Sequence, residues 1–344
     1  MNKPTVLFAI LCLVFVVFFL QCTQNNSFPI LKGDYLGQNS PGMKPALFAP
    51  GLISTGLYER DLALRSDGKE MFYGIIIGGQ ATIMMTRIIN NSWTEPEVAP
   101  FATNRDFHYF EPCLSPDGKR LFFLSTLPPS GEKAKPGWGH QNIWMVHRTD
   151  DGDWGEPQDL GFPVNTQNEE YFPSITSDGT LYFTRSVPED RTVRIMRSRN
   201  LDGAYQEPEP LPGQINGHGR PYNAYIAPDE SFLIACVEER EDCVTPGFPD
   251  YYVFFRRPDD TWSEGINLGQ EINMSGDRAL SPYVSPDGEY FFFSSARRNP
   301  EFFAVAKITW SRIQHIHAGP QNGSSDIYWV DARIIENLRP EAFE

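Results

Sequence analysis

One short pattern recurs five times in phase along this chain, and that repetition limits the architecture more than any other feature. Leu114-Ser115-Pro116-Asp117-Gly118-Lys119-Arg120-Leu121-Phe122-Phe123 returns in degenerate form at Arg65 to Tyr73, Thr176 to Phe183, Ala227 to Ile234 and Ser285 to Phe293. The aspartates at 67, 117, 178, 229 and 287 are spaced by 50, 61, 51 and 58 residues. Periods of this length point to solenoids or propellers. In the full form of the pattern, Ser-Pro-Asp-Gly, Pro presets one turn dihedral and Gly supplies the positive φ that lets the chain double back, so each copy predicts a hairpin.

A second mark follows each of the first four hairpins, at Trp93-Thr94-Glu95-Pro96, Trp154-Gly155-Glu156-Pro157, Tyr205-Gln206-Glu207-Pro208 and Trp262-Ser263-Glu264-Gly265. Between the marks lies one more apolar run, the last being Asp326 to Val330. One period therefore reads as four strands, the content of a propeller blade. A solenoid is the rival, but its rungs are usually shorter and it leaves two open edges. The fold expected is all-β: a single propeller of four-stranded blades over residues 44–335, with helix nearly absent.

The segment Lys44 to Pro50 matches a fourth strand although no blade precedes it, while the last blade lacks a fourth strand of its own. The simplest closure has the N-terminal strand complete that last blade, which removes both sheet edges and gives five blades. A sixth over residues 296–325, with a strand from Phe302 to Ile308, is the alternative count. Residues 336–344 read as a C-terminal tail.

The repeated Ser-Pro-Asp-Gly, the aromatic strand after it and the Asp-Ile-Tyr third strand resemble the repeats of TolB-type β-propellers over about residues 45 to 335. Similar propellers serve as periplasmic docking modules and as the non-catalytic gates of some serine peptidases, so the resemblance is specific for the fold and not for one function, and it implies binding rather than catalysis. No Gly-x-Ser-x-Gly elbow and no His-Glu-x-x-His occurs in the sequence.

Residues 1–22 carry Lys3, an apolar run from Thr5 to Leu20, and Gln21-Cys22. The run is short for a helix crossing a bilayer core about 30 Å thick and reads as an export signal. Cys22 resembles the lipid-modified cysteine of bacterial lipoproteins, although Leu20 and Gln21 are bulkier than that pattern prefers. Residues 23–43 read as a flexible tether. The expectation is a monomer in the bacterial cell envelope, periplasmic or at the cell surface, meeting the membrane only through its anchor. A formal charge of -15 without a basic stripe excludes nucleic acid as a natural partner.

In a propeller the first strand of each blade lines the central channel, so residues entering that strand reach the mouth. Nine residues before the turn aspartates stand Tyr58, His108, Glu169, Arg220 and Arg278; six before stand Asp61, Glu111, Phe172, Asn223 and Ser281. Two functions follow. In a binding module for an envelope protein, peptide or glycan, Glu59, Arg60, His108, Tyr109, Tyr171, Arg220, Tyr222 and Arg278 form the ligand site. Its arginines fix an acidic group and its tyrosines give contact area. In a glycan-cleaving enzyme, Asp61, Glu111, Glu169 and Glu170 supply the acid and the base or nucleophile. The bland reading is that these carboxylates pair with the arginines or satisfy backbone groups between blades.

No cofactor or metal is expected. His315-Ile316-His317 would place two imidazoles on one face of a strand, and Asp150 to Asp153 would form a solvated turn, neither with the rest of a ligand set. Cys236 and Cys243 are candidates for a disulfide across a loop, and Cys113 reads as a small core residue.

Overall fold

The computed structural model describes residues 28–302, 304 and 307–343, so the export signal expected over residues 1–22, with Cys22, lies outside the described residues. Five four-stranded antiparallel sheets form five blades. Blade I comprises Tyr58–Leu64, Glu70–Ile77, Gln80–Ile89 and Glu97–Val98, and blade II comprises Tyr109–Leu114, Arg120–Ser125, Asn142–His147 and Gln158–Asp159. Blade III comprises Glu170–Ile175, Leu181–Val187, Thr192–Ser198 and Glu209–Pro210, and blade IV Arg220–Ile226, Phe232–Glu238, Asp250–Phe255 and Ile266–Asn267. Blade V has Tyr283–Val284, Tyr290–Ser295 and Asp326–Asp331, and its fourth strand is the N-terminal Ala46–Leu47, with Ala46 opposite Trp329. The ring is closed as expected.

The repeated turn has a local cause. Ser115 Oγ donates to Asp117 Oδ1 at 2.5 Å, and the Lys119 N–H donates to the same oxygen at 3.0 Å. Gly118 takes φ 67°, and the Thr176/Asp178 and Ser285/Asp287 turns repeat the pattern. In the fourth copy Glu230 occupies the glycine position with φ 60°.

Alternation explains the aromatic strands that follow. Leu121 and Phe123 pack between blades I and II, whereas Phe122 packs between blades II and III. A middle strand is thus buried on both faces, and each of the five seams between blades holds its own apolar cluster. Sequence reasoning missed one recurring device. Asn165, Asn216 and Asn273 each accept from and donate to the backbone of a third-strand residue (Ile143, Ile195 and Tyr251), clamping the loop between consecutive blades.

Four expectations are corrected. Residues 31–36 are docked rather than a free tether: Leu36 is buried, Tyr35 packs edge-on against Tyr290 with ring centroids 4.9 Å apart, and Trp93 Nε1 donates to the Gly33 carbonyl. No sixth blade forms; the described residues of 296–325 contain the helix Trp310–Ala318 and no strand. His315 and His317 belong to that helix, where residues two apart do not share a face. Cys236 and Cys243 are free thiols. Cys236 points into the seam between blades IV and V, whereas Cys243 packs against the cluster between blades III and IV, so the two lie on opposite faces of one sheet.

Closure concentrates apolar burial at the seam between blades V and I, where Phe48 is fully buried with its ring 5.1 Å from Phe292 and 5.3 Å from Trp329. Phe48→Ala is expected to lower the unfolding free energy in urea by about 3–5 kcal/mol, the range for truncating a buried phenylalanine. A loss below about 1 kcal/mol would mean that the N-terminal strand does not hold the ring.

Candidate functional site

The first strands are not regular. In blades I to IV the pairing with the second strand shifts register at one place, between Arg60 and Ala63, Phe110 and Cys113, Tyr171 and Ser174, and Tyr222 and Tyr225. The residue six before the turn aspartate lies in each bulge with left-handed backbone: Asp61 at φ 61°, Glu111 at 54°, Phe172 at 52° and Asn223 at 48°. For non-glycine residues this conformation costs about 1–2 kcal/mol each, and it persists where surrounding contacts over-determine it. Here those contacts link the blades around the channel. The Phe172 N–H donates to Glu111 Oε2 at 2.7 Å, Asn223 Nδ2 donates to the Leu280 carbonyl at 2.6 Å, and Ser281 Oγ donates to Asp61 Oδ1.

Arg60 fills the centre of this ring. Its Nε donates to Asp61 Oδ1 at 2.7 Å, and its Nη2 lies 3.3 Å from both Glu111 Oε1 and the Leu280 carbonyl. The guanidinium also sits 5.0 Å from the centre of the Phe110 ring. One cation therefore faces two buried carboxyls. Burial pushes the Glu111 carboxyl up to about 8, with the Asp61 charge adding to the shift and Arg60 opposing it. Burial also raises Asp61.

The cluster separates two parts of the channel. On the side of the Asp-Gly hairpins lies a chamber of about 270 Å³ walled by Pro112, Pro173, Pro282, Leu114 and Ile226, with Asp61 and Glu111 also on its surface. On the other side the mouth encloses about 360 Å³ between Arg60, Tyr171, Arg220, Tyr222, Arg278 and Trp138. Five of the eight residues expected at the binding site meet there.

The other three do not line it. Residues seven before the aspartate face the channel in every blade, joined nine before only by Arg220 and Arg278, while those eight before face the seams. Glu59 accordingly lies buried between blades V and I, and Tyr109 in the core between blades I and II. His108 is buried beneath the mouth: its Nδ1 accepts from the Ala81 N–H at 3.2 Å, and its ring stacks on Trp138 with centroids 4.1 Å apart and 5° between planes. Burial lowers its pKa, and the stacked ring supports Trp138 at the mouth.

Of the four candidate catalytic carboxylates, only Asp61 and Glu111 reach the channel centre. Glu169 is exposed and accepts from Ser186 Oγ at 2.9 Å. Glu170 is buried in the seam between blades II and III, where Arg185 Nε donates to it at 2.9 Å and Thr166 Oγ1 at 2.6 Å. Among the mouth residues not foreseen are Trp138 and Glu238. Trp138 comes from the insertion after blade II's second strand, where a tryptophan in a Gly- and Lys-rich loop was a readable signal. Glu238 lies directly opposite Arg220 in the strand pairing of blade IV.

At the rim, Arg220 Nη1 donates to Glu238 Oε2 at 3.0 Å, and Arg278 Nη2 lies 3.8 Å from the other oxygen of the same carboxylate. Two guanidiniums share one acid, and Arg220 Nε is buried without a partner. Among the described residues no group of three or more His, Cys, Asp or Glu side chains is placed to hold a metal, and no helix is long and apolar enough to cross a membrane.

Among solved structures the chain is similar to TolB from Acinetobacter baumannii, at 13% identity over 80% of this chain and a TM-score of 0.44. It spans 57% of that TolB chain. It is also similar to an endo-arabinanase from Bacillus licheniformis, at 12% identity over 80% of this chain and 93% of that one, with a TM-score of 0.45. An α-L-arabinofuranosidase from Podospora anserina stands at 10% identity, covering 85% and 97% of the two chains, with a TM-score of 0.46. No protein-family model and no curated protein sequence matches the chain. In fold, the chain is a five-bladed β-propeller. The likeness to TolB is one of structure, and the architecture rests on this chain's own five sheets.

Because the folded state holds the Glu111 proton far above the ordinary carboxylate range, the folded chain binds more protons than the unfolded one between about pH 4.5 and 8. This group's contribution to stability is present below pH 4.5 and is lost as pH rises through about 8. Carboxyl ¹³C NMR, assigned with Glu111→Gln, is expected to show a titration above pH 6.5 that the variant lacks; all carboxyls titrating below pH 5 would contradict the buried pair.

Proposed function

We propose that this propeller is an exported binding module, anchored through Cys22, that captures an acidic group of a peptide, protein or glycan at the channel mouth. The observation that carries this reading is the rim pair. Arg220 and Arg278 present two guanidiniums to one carboxylate, at 3.0 and 3.8 Å, beside Trp138, Tyr171 and Tyr222. A guanidinium fork matches a carboxylate bidentately, and the aromatic faces receive the body of the ligand at low entropic cost. Arg278 is 61% exposed and Arg220 41%, so both reach an incoming ligand. The export signal and anchor are read from residues 1–22 alone, and that reading is what supports a location of the mouth in the cell envelope.

One observation favours glycan cleavage as a second reading. Glu111, held protonated near neutral pH, adjoins Asp61 at the channel centre, which pairs a candidate acid with a candidate base. Against this, both Glu111 oxygens and Asp61 Oδ1 are already engaged by Arg60, the Phe172 N–H and Ser281, leaving Asp61 Oδ2 alone without a partner.

Screening the purified protein against arrays of acidic peptides and uronate oligosaccharides, with mass analysis of every retained ligand, separates the readings. Retention of an unaltered acidic ligand, weakened at least about tenfold by Arg220→Ala with Arg278→Ala and weakened again by added salt, is the expected outcome. Retention unaffected by the double substitution would remove the mouth from consideration. A shortened product whose formation is lost in Glu111→Gln would establish the hydrolase instead.

A further inference from the structure

The seams between blades II and III and between blades V and I are built on one plan, and the differences between them identify a site. In both, the residue eight before the turn aspartate is a buried glutamate whose N–H donates at 2.8 Å to the carbonyl just ahead of the previous blade's third strand: Glu170 to Gln141 and Glu59 to Ser325. In both, a threonine four residues upstream donates its N–H and hydroxyl to that glutamate, Thr166 to Glu170 and Thr55 to Glu59.

The charges differ. Opposite Glu170 in the strand pairing stands Arg185, whose Nε donates to Glu170 Oε1 at 2.9 Å and whose Nη2 donates to the Pro163 and Val164 carbonyls. Opposite Glu59 stands Ile75. The third strand of blade II begins with neutral Asn142, and that of blade V with Asp326. The seam that closes the ring therefore replaces a carboxylate, an arginine and a carboxamide with two carboxyls and an isoleucine.

Glu59 and Asp326 are each 1% exposed. Glu59 Oε2 and Asp326 Oδ1 are both buried without a hydrogen-bond partner, although Asp326 Oδ2 accepts from the Gln321 N–H at 2.7 Å. Burial pushes each up to about 7, and the Glu59 charge adds to the shift at Asp326; among the described residues their carboxylates accept from Thr55 and from the Gln321 N–H, and from no cationic side chain. Two orphaned carboxylate oxygens in one buried seam are costly unless a positive charge joins them.

We propose that Glu59 and Asp326 bind a hard metal cation of the Ca²⁺ class in the closing seam, where it serves as the counter-charge that Arg185 provides between blades II and III. Oxygen-only donors and a paired charge of two carboxylates suit such an ion. A cation held there ties the loop Ser54 to Glu59 of blade I to the third strand of blade V, so it binds the closed ring and not the opened chain.

Thermal unfolding of the purified full-length protein at pH 7.5, in EDTA and in 5 mM CaCl₂, MgCl₂ or NaCl, tests this, alongside elemental analysis of retained metal. Calcium is expected to raise Tm by about 4 °C or more, saturably, with about one equivalent retained. Glu59→Gln with Asp326→Asn should abolish the shift, and Ile75→Arg should do so while keeping the folded state at least as stable as the wild type in EDTA. The arginine variant keeps the test open if the double variant fails to fold. A wild-type Tm indifferent to all three cations, with no retained metal, would overturn the proposal. So would a calcium shift that survives the double substitution, or a Tm that rises on acidification to pH 6 with no cation effect, which would show a shared proton in the cation's place.

Discussion

Everything in this molecule depends on the ring being closed. The middle strands are apolar on both faces, so every blade needs a neighbour on each side, and a row of five has two raw faces unless its ends meet. Two residue pairs, Ala46 with Trp329 and Leu47 with Tyr328, make that junction. Their hydrogen bonds are few, and the apolar cluster around Phe48, Phe292 and Trp329 supplies the stabilisation that holds them. The docked segment around Tyr35 and Leu36 adds cover to the same seam. The junction is also where Glu59 and Asp326 are buried together.

Closure forces five inner strands around one axis, and the bulges settle what that axis contains. A regular strand would continue its alternation past the centre. The left-handed residues at 61, 111, 172 and 223 break it, turning backbone and side chains toward the neighbouring blade. Arg60 then lies between two carboxyls and divides the channel into an apolar chamber and an aromatic, arginine-rimmed mouth. The backbone strain and the buried ionisable groups coincide at one level of the channel, so the least favourable local choices in the fold serve to define its cavities.

The mouth was half legible before folding was considered. Counting back from the turn aspartate locates the residues entering the channel, but it lists neighbours without asking which way each points. Period-two alternation separates them: Arg60, Tyr171 and Tyr222, seven before, face the channel, whereas Glu59, Tyr109 and Glu170, eight before, face the seams. Cys236, on a strand, faces the seam between blades IV and V, whereas the loop after that strand carries Cys243 to the cluster between blades III and IV. Trp138 and Glu238 carry no mark in the repeat, because one arrives on an insertion and the other from a second strand.

The repeat, the hairpin at each Asp-Gly turn, the four-strand period and the need for the N-terminal strand to complete the last blade are all written in the order of residues. These follow from local turn chemistry and from apolar runs, which act over a few residues. Which carboxyls share a guanidinium, which are left without one, and which arginines converge emerge only once the ring is assembled. Those facts depend on residues brought together across the ring, as Asp61 meets Ser281 and Glu59 meets Ser325. Their burial and charge are properties of the seam and the channel, and a linear pattern does not contain them.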